Sequence, residues 1–170
     1  MIRTRRQLTF RPVRKSENLY FTILTFIFFR KSEGGNYLIF GSPIPLVPIM
    51  MLAYFFWQEI ALFRGKRYFV TINENTVGLF AINEKPEVLS IEVLAVAPGF
   101  RKKGIATLIL DIITASAEKS GKELELSVFR SNIPAQHLYH KDGFRKKKDK
   151  KMSIVLRKTH AQDRKLNHIP

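Results

Sequence analysis

The sequence contains no cysteine. That absence excludes disulfide cross-links, a thiolate nucleophile and any cysteine-ligated metal. Acidic residues are scarce: 14 Asp and Glu stand against 29 Lys and Arg, for a formal net charge of +15. The histidines (His137, His140, His160 and His168) fall into no metal-ligand spacing. His137 and His140 share one face of a predicted helix, but no carboxylate motif accompanies them, so both read as surface residues and no metal site is expected. There is no internal repeat and no low-complexity linker. Two nucleotide motifs are also missing. Gly99 and Gly104 have the glycine spacing of a P-loop, but Ile105-Ala106 stand where lysine and a hydroxyl residue are required. No Gly-x-Gly-x-x-Gly opens a first strand–helix unit, which excludes a dinucleotide fold of that type.

What remains is one domain's worth of chain, 170 residues with 45% apolar content. The basic residues are clustered. One block holds Arg3, Arg5, Arg6, Arg11, Arg14 and Lys15; the other holds Lys141, Arg145, Lys146, Lys147, Lys148, Lys150 and Lys151. Such blocks attract polyanions: a phosphorylated cofactor, RNA or an anionic membrane surface.

Two stretches are strongly apolar. Residues 18–29 read as a buried helix or strand. They are too short for the ~20-residue span of a bilayer, and Arg30-Lys31 follow at once with no small-residue cleavage site, so no signal peptide is expected. Residues 37–63 carry Glu59 as their one charge, and a helix is expected from Pro48 to Phe63. That helix would be about 24 Å long, short of the ~30 Å hydrocarbon core. It reads as a core or interface helix, or as a membrane-inserted or membrane-lying segment flanked by Arg30, Lys31, Arg64, Lys66 and Arg67.

From residue 67 the pattern is β-β-β-α-β-α-β-β. Strands are expected at 67–72, 76–82, 88–96 and 123–129, with a first one at Leu8–Val13. A helix is expected over 104–120, with Ile105, Leu108, Ile109, Ile112, Ile113 and Ala117 as its apolar stripe and Gly121 as its stop. Ser131-Asn132 cap a short helix with Pro134 in its first turn, and Gly143 ends it. The basic run Arg145–Lys151 falls between the last two strands, the second at 152–156, and residues 159–170 form a polar tail.

The chemistry concentrates where the strand 88–96 breaks at Pro98-Gly99 and a basic turn leads into a helix. The first amides of a helix lack partners inside it, and the helix dipole makes that end partly positive. A phosphate or pyrophosphate fits there. Gly104, without a Cβ, admits a ligand close to the backbone, and Ala106 is the next small position.

At these residues the sequence resembles the GNAT superfamily of acetyl-CoA-dependent N-acetyltransferases. The turn matches as Val96-x-Pro98 and Arg101-x-x-Gly104-x-Ala106. A second segment matches downstream as Asn132-x-x-Ala135-x-x-Leu138-Tyr139-x-x-x-Gly143-Phe144. The resemblance covers residues 67–157 well and residues 1–66 loosely. It implies an α/β (α+β) fold: a mixed, mostly antiparallel sheet of six to seven strands flanked by helices, around a central β-α-β-α unit. The domain would run over 1–158, with 1–66 supplying a first strand and two apolar helices and 67–157 the acetyl-CoA-binding core.

The resemblance further implies that acetyl-CoA lies in a V-shaped opening between strands 88–96 and 123–129. Backbone groups of Leu94, Ala95 and Val96 would meet the pantetheine arm. Amides of Arg101, Lys102, Lys103, Gly104, Ile105 and Ala106 would hold the pyrophosphate, and Asn132 would bond the pantetheine or steady its own loop. An amine would attack the thioester directly, so the missing cysteine is harmless. Tyr139 matches the family's acid. Glu92 stands where some members have a glutamate, and a carboxylate within an apolar strand is costly to bury without a reason; Glu125 and Ser127 are weaker choices of base. The partners the resemblance implies are acetyl-CoA and an amine acceptor (small molecule or peptide). The basic blocks and the apolar segment 37–63 point to the alternative of a basic module binding RNA or an anionic membrane surface on the same fold with weak or lost catalysis, and a homodimer is a further expectation. The basic run between the last strands suits an acidic peptide, a ribosome-bound chain or lipid headgroups, or is a solvated hairpin tip. A cytoplasmic location is expected, with membrane association through residues 37–63.

Overall fold

The computed structural model of the protein describes residues 8–30 and 65–159. The expected helix at 48–63, with its membrane reading, the first basic residues Arg3, Arg5 and Arg6, and the tail from residue 160 lie outside the described residues.

In chain order the elements are β1 (Leu8–Pro12), α1 (Asn18–Arg30), β2 (Lys66–Ile72), β3 (Asn75–Glu84), β4 (Val88–Val96), α2 (Ile105–Lys119), β5 (Glu123–Phe129), α3 (Ile133–Lys141), β6 (Arg145–Asp149) and β7 (Ser153–Lys158). The strands form one sheet in the order β1-β2-β3-β4-β5-β7-β6. Neighbours run antiparallel except β4 and β5, which are parallel and joined through α2. A parallel pair needs such a crossover, because a tight turn can only reverse the chain.

The sheet is covered on both faces. On one, α2 and α3 bury Ile105, Ile109, Leu110, Ile113 and Tyr139 against Val70, Phe80, Ile91, Leu126 and Leu156. On the other, α1 buries Phe21 and Phe28 against Phe69, Leu79, Val93 and Ala95. The buried stripe of α2 is rotated from the expected one. Leu110 is fully buried, while Ile112 is 39% exposed. At about 100° per residue, Ile105, Ile109, Ile113 and Ala117 walk slowly round the helix toward Leu110 and leave Ile112 at the far edge. Truncating Ile109 to alanine would cost about 2–5 kcal/mol.

The segment 18–29, open between helix and strand, is a helix. Its threonines are satisfied internally: Thr22 and Thr25 donate to the carbonyls of Asn18 (3.0 Å) and Phe21 (2.8 Å), one turn back. At its start the Asn18 side chain accepts from the buried Arg67 guanidinium of β2 at 2.8 Å.

The basic run differs from expectation. Rather than linking the last two strands, Arg145–Asp149 is itself β6, the edge strand, and every residue in it is exposed. One side of an edge strand meets water, so consecutive lysines are tolerated there and discourage pairing with another chain.

Candidate active site

Strands β4 and β5 pair over half their length. Val88–Ile91 sit opposite Glu123–Leu126, and the pairing stops there. Beyond it, β4 continues to Val96 bonded to β3 alone, and β5 continues to Phe129 bonded to β7 alone. The sheet therefore opens as a wedge between Val93–Val96 and Ser127–Phe129.

A bulge sits where the wedge begins. Val93 pairs with Ala81 and Ile91 with Ile82, so Glu92 is the extra residue on β4. One extra residue shifts every later side chain to the other face. Leu89 and Ile91 point toward α2, whereas Val93 and Ala95 point toward α1.

The backbone of β4 past the bulge can be assigned by alternation. The N–H of Ala97 donates to Val77 in β3 at 2.9 Å. The same parity turns the groups of Ala95 to β3 and those of Leu94 and Val96 to the opening. The carbonyl of Val96 accepts from Arg101 Nε at 3.2 Å. The backbone groups of Leu94 and Val96 therefore face the opening, while the backbone of Ala95 serves the β3 ladder and its side chain is buried under α1.

At the wide end of the wedge, a short 3-10 turn at Pro98–Phe100 leads into α2. Lys102 (φ +59°) and Gly104 (φ +80°) both adopt the left-handed conformation. The Gly104 carbonyl starts the helix by accepting from Leu108 at 3.0 Å. Among the described residues, the backbone N–H groups of Lys102 to Thr107 meet no acceptor. A Cβ on Gly104 would have no atom within 4 Å, so this stretch of backbone is open from outside. Exposed donors at a helix N-terminus fit a phosphate or pyrophosphate.

Arg101 does not join that exposed rim. Its guanidinium turns inward, bonding Val96 and, at 2.8 Å, the carbonyl of Phe28. Phe28 lies among the last carbonyls of α1, which lack helical partners and carry partial negative charge. Arg101 therefore ties the end of β4 to the end of α1. Lys103 lies over the Phe100 ring at 5.0 Å, and Lys102 is exposed.

Across the wedge, Asn132 follows β5. Its side chain accepts from Ala135 N–H at 3.3 Å, capping α3, and its own N–H donates to Phe129 at 3.0 Å. Gln136, a residue that sequence reasoning passed over, donates to the carbonyls of Phe129 (3.0 Å) and Arg130 (2.8 Å). Asn132 and Gln136 together fix the turn that ends β5. No motif spacing would have marked Gln136.

Tyr139 is 8% exposed, within the core cluster that holds Ile105 and Ile109 of α2. Burial pushes its phenol up to about 12, so it keeps its proton at neutral pH. Its hydroxyl meets no hydrogen-bond partner among the described residues.

Glu92 departs from the reasoning that singled it out. It is exposed, because the bulge releases it from the buried register, so no desolvation argument marks it. It stands instead at the apex of the wedge, wet and on irregular backbone. Glu125 has a different environment. Partial burial pushes its carboxyl up, but hydrogen bonds from Lys147 and Arg157 prevail and hold it below the usual range. A carboxylate pinned by two cations is a poor proton acceptor. Ser127 bonds Ser153 at 3.1 Å.

Residues 38–144 match the model of the family described as Acetyltransferase (GNAT). A curated N-alpha-acetyltransferase of Saccharolobus solfataricus is 32% identical over 110 residues, 56% of this chain. The match spans 66% of that relative, just under two thirds of its length. Among solved structures, the PaiA N-acetyltransferase of Thermoplasma acidophilum in complex with coenzyme A superposes with TM-score 0.65 at 15% identity, covering 90% of this chain and 99% of that one. Naa50 of Arabidopsis thaliana, in complex with the bisubstrate analogue CoA-Ac-MVNAL, superposes with TM-score 0.61 at 17% identity, covering 91% and 99%. These likenesses show a shared fold. Among the described residues no helix is long and apolar enough to cross a membrane.

Proposed function

Since the chain belongs to the acetyltransferase (GNAT) family, we propose that it transfers the acetyl group of acetyl-CoA to a primary amine, and that this amine is the amino terminus of a peptide. The observation that carries the proposal is the wedge between β4 and β5, ending at a run of unpartnered amides. The peptide acceptor is supported by the curated relative, an N-alpha-acetyltransferase, and by the neighbour held with a CoA–peptide analogue.

Acetyl-CoA supplies a thioester already activated for attack by an amine. On this reading Leu94 and Val96 offer backbone groups to the pantetheine arm, as a strand would. The amides of Lys102, Lys103, Gly104, Ile105 and Ala106 receive the pyrophosphate, with Lys102 and Lys103 adding charge at the rim. Arg101 acts one step back, holding Val96 and the turn in place. Asn132 sets the loop after β5 and keeps its side-chain amide for the ligand.

Two protons have to move. Tyr139, protonated at neutral pH, donates toward the departing sulfur. Glu92 takes the amine's proton, directly or through water, from the apex of the wedge.

The direct test is acetyl transfer to a peptide panel, read as release of free thiol, alongside the melting temperature with CoA. CoA at millimolar concentration should raise the melting temperature; no shift and no thiol release would remove the reading.

A further inference from the structure

β6 and β7 are joined by Lys150–Met152. Register puts this turn at the wedge end of the sheet. Phe129 and Val128, at the end of β5, lie opposite Ser153 and Ile154 of β7, and Asp149 of β6 also lies opposite Ile154. Arg130, the first residue after β5, clamps the turn. Its backbone N–H donates to Met152 at 3.1 Å, its Nε to the Lys150 carbonyl at 3.2 Å, and its guanidinium pairs with Asp149.

The charges of this turn do not balance. Asp149 is the local acid, and it is taken by both Arg130 and Lys146. Lys147 is taken by Glu125 at 2.9 Å. Lys148, Lys150 and Lys151 are exposed, and among the described residues no carboxylate lies within ion-pair distance of any of them. Met152 beside them is 61% exposed and adds an apolar surface. Single surface charges contribute little. Two uncompensated cations on a clamped turn, with Lys148 beside them at the end of β6, form a local field that repels a cationic acceptor and draws an anionic one.

We propose that Lys148, Lys150 and Lys151 select the acceptor, favouring peptides with acidic side chains in the residues just after the amino terminus. This rests on the reading of the wedge as an acetyl-transfer site. The place of the patch decides between partners. It lies beside the open end of the wedge at the end of β5, where on this reading the acceptor chain passes, so it acts on the chain that carries the amine rather than on a nucleic acid docked elsewhere.

The experiment compares three peptides with the same first residue and acidic, neutral or basic residues at positions two to four. They are assayed with wild type and with the double variant Lys150→Glu/Lys151→Glu, at low and high salt. CoA binding and melting temperature are measured on both proteins, and a short RNA is tested for binding. In wild type the acidic peptide should exceed the neutral one roughly five- to tenfold in kcat/KM, through KM, with the basic peptide lowest. Salt should erode the preference, and charge reversal should abolish or invert the acidic-to-neutral ratio while CoA still binds. Equal rates for all three peptides, or a preference that survives charge reversal, would overturn the inference and leave acetyl transfer standing. Loss of RNA binding in the variant with an unchanged peptide ratio would overturn it in favour of a nucleic-acid surface. No transfer to any peptide would remove the underlying reading as well.

Discussion

The backbone N–H of Phe144 donates to the carbonyl of Tyr139 at 3.0 Å, and the two rings meet edge to face with centroids 5.8 Å apart. Between them Gly143 adopts φ +97° and donates to His140 at 3.1 Å. This is a Schellman end to α3: the six-to-one bond, the five-to-two bond and the apolar contact across them are all present. The spacing Tyr-x-x-x-Gly-Phe thus has a mechanical content. It fixes the last turn of α3, and with it the one buried phenol of the candidate site.

Replacing Tyr139 with phenylalanine should separate chemistry from packing. The ring contact with Phe144 survives, and the hydroxyl has no partner among the described residues to lose. Stability should stay within about 1 kcal/mol. If the phenol donates to the leaving sulfur, kcat should fall tenfold or more, with acetyl-CoA affinity changed little. Steady-state kinetics beside a binding titration decides it; an unchanged kcat removes Tyr139 from the reaction.

Replacing Gly143 with alanine tests the cap itself. A Cβ at that left-handed φ costs roughly 1–2 kcal/mol, and loosening α3 also frees Tyr139. Urea unfolding should show the loss at an unchanged m-value, and kcat should fall more than acetyl-CoA affinity does. A variant as stable and active as wild type would mean that this end of α3 is not constrained.

The buried phenol also predicts an alkaline instability. In the unfolded chain Tyr139 ionises near its ordinary value of 10.0, and in the folded protein at about 12. Between these values the folded state holds a proton that the unfolded state has released. Stability is therefore complete below about pH 10 and falls as pH rises toward 12. Glu17 gives the acid counterpart. Its carboxyl is held at about 2, first by the Arg11 hydrogen bond and then by the Arg14 backbone N–H. Its contribution is present above the ordinary value of 4.5 and is lost as pH falls toward 2. Melting temperatures across pH, in wild type and Tyr139→Phe, should diverge in slope only on the alkaline side.

Much of this arrangement was legible in the sequence. The end of the strongly apolar strand β4 at Pro98-Gly99, followed by apolar residues at helical spacing in α2, located the turn. Asn132 and Gly143 marked both ends of α3 by ordinary capping chemistry. Four things were not legible. α1 is apolar nearly all round, so periodicity could not separate helix from strand. The bulge at Glu92 belongs to the pairing of β4 with β3, not to either strand alone. Arg101 reads as one of three equivalent cations, and only its contacts with Val96 and Phe28 set it apart. The basic residues of β6 look like a loop because the property that permits them, an edge position, is topological.

Replacing Arg101 with methionine should therefore act unlike replacing Lys102 or Lys103. Methionine keeps the apolar stem but removes the donors to Val96 and to the end of α1. A hydrogen bond from a charged group contributes about 1.5–3 kcal/mol, so unfolding free energy should drop by that order. CoA affinity should fall too, because the turn loses its anchor. Lys102→Met removes exposed charge, and Lys103→Met removes exposed charge together with its contact over the Phe100 ring, so each should leave stability within about 1 kcal/mol and weaken CoA binding in a salt-dependent way.

Gly104 carries the sharpest prediction for the cofactor site. Its φ of +80° strains any residue with a Cβ, yet that Cβ would meet no protein atom within 4 Å. Gly104→Val should thus cost stability only through backbone strain, roughly 1–2 kcal/mol. The loss of CoA affinity should be larger, because the new side chain stands over the amides of Lys102 to Thr107, where a pyrophosphate must sit. Isothermal titration with CoA, and with pantetheine lacking the pyrophosphate, separates the two effects. CoA binding should weaken tenfold or more, while pantetheine binding changes far less. Equal weakening of both ligands would mean that the turn acts by holding the wedge open rather than by receiving the pyrophosphate. Unchanged binding of both would place the pyrophosphate elsewhere.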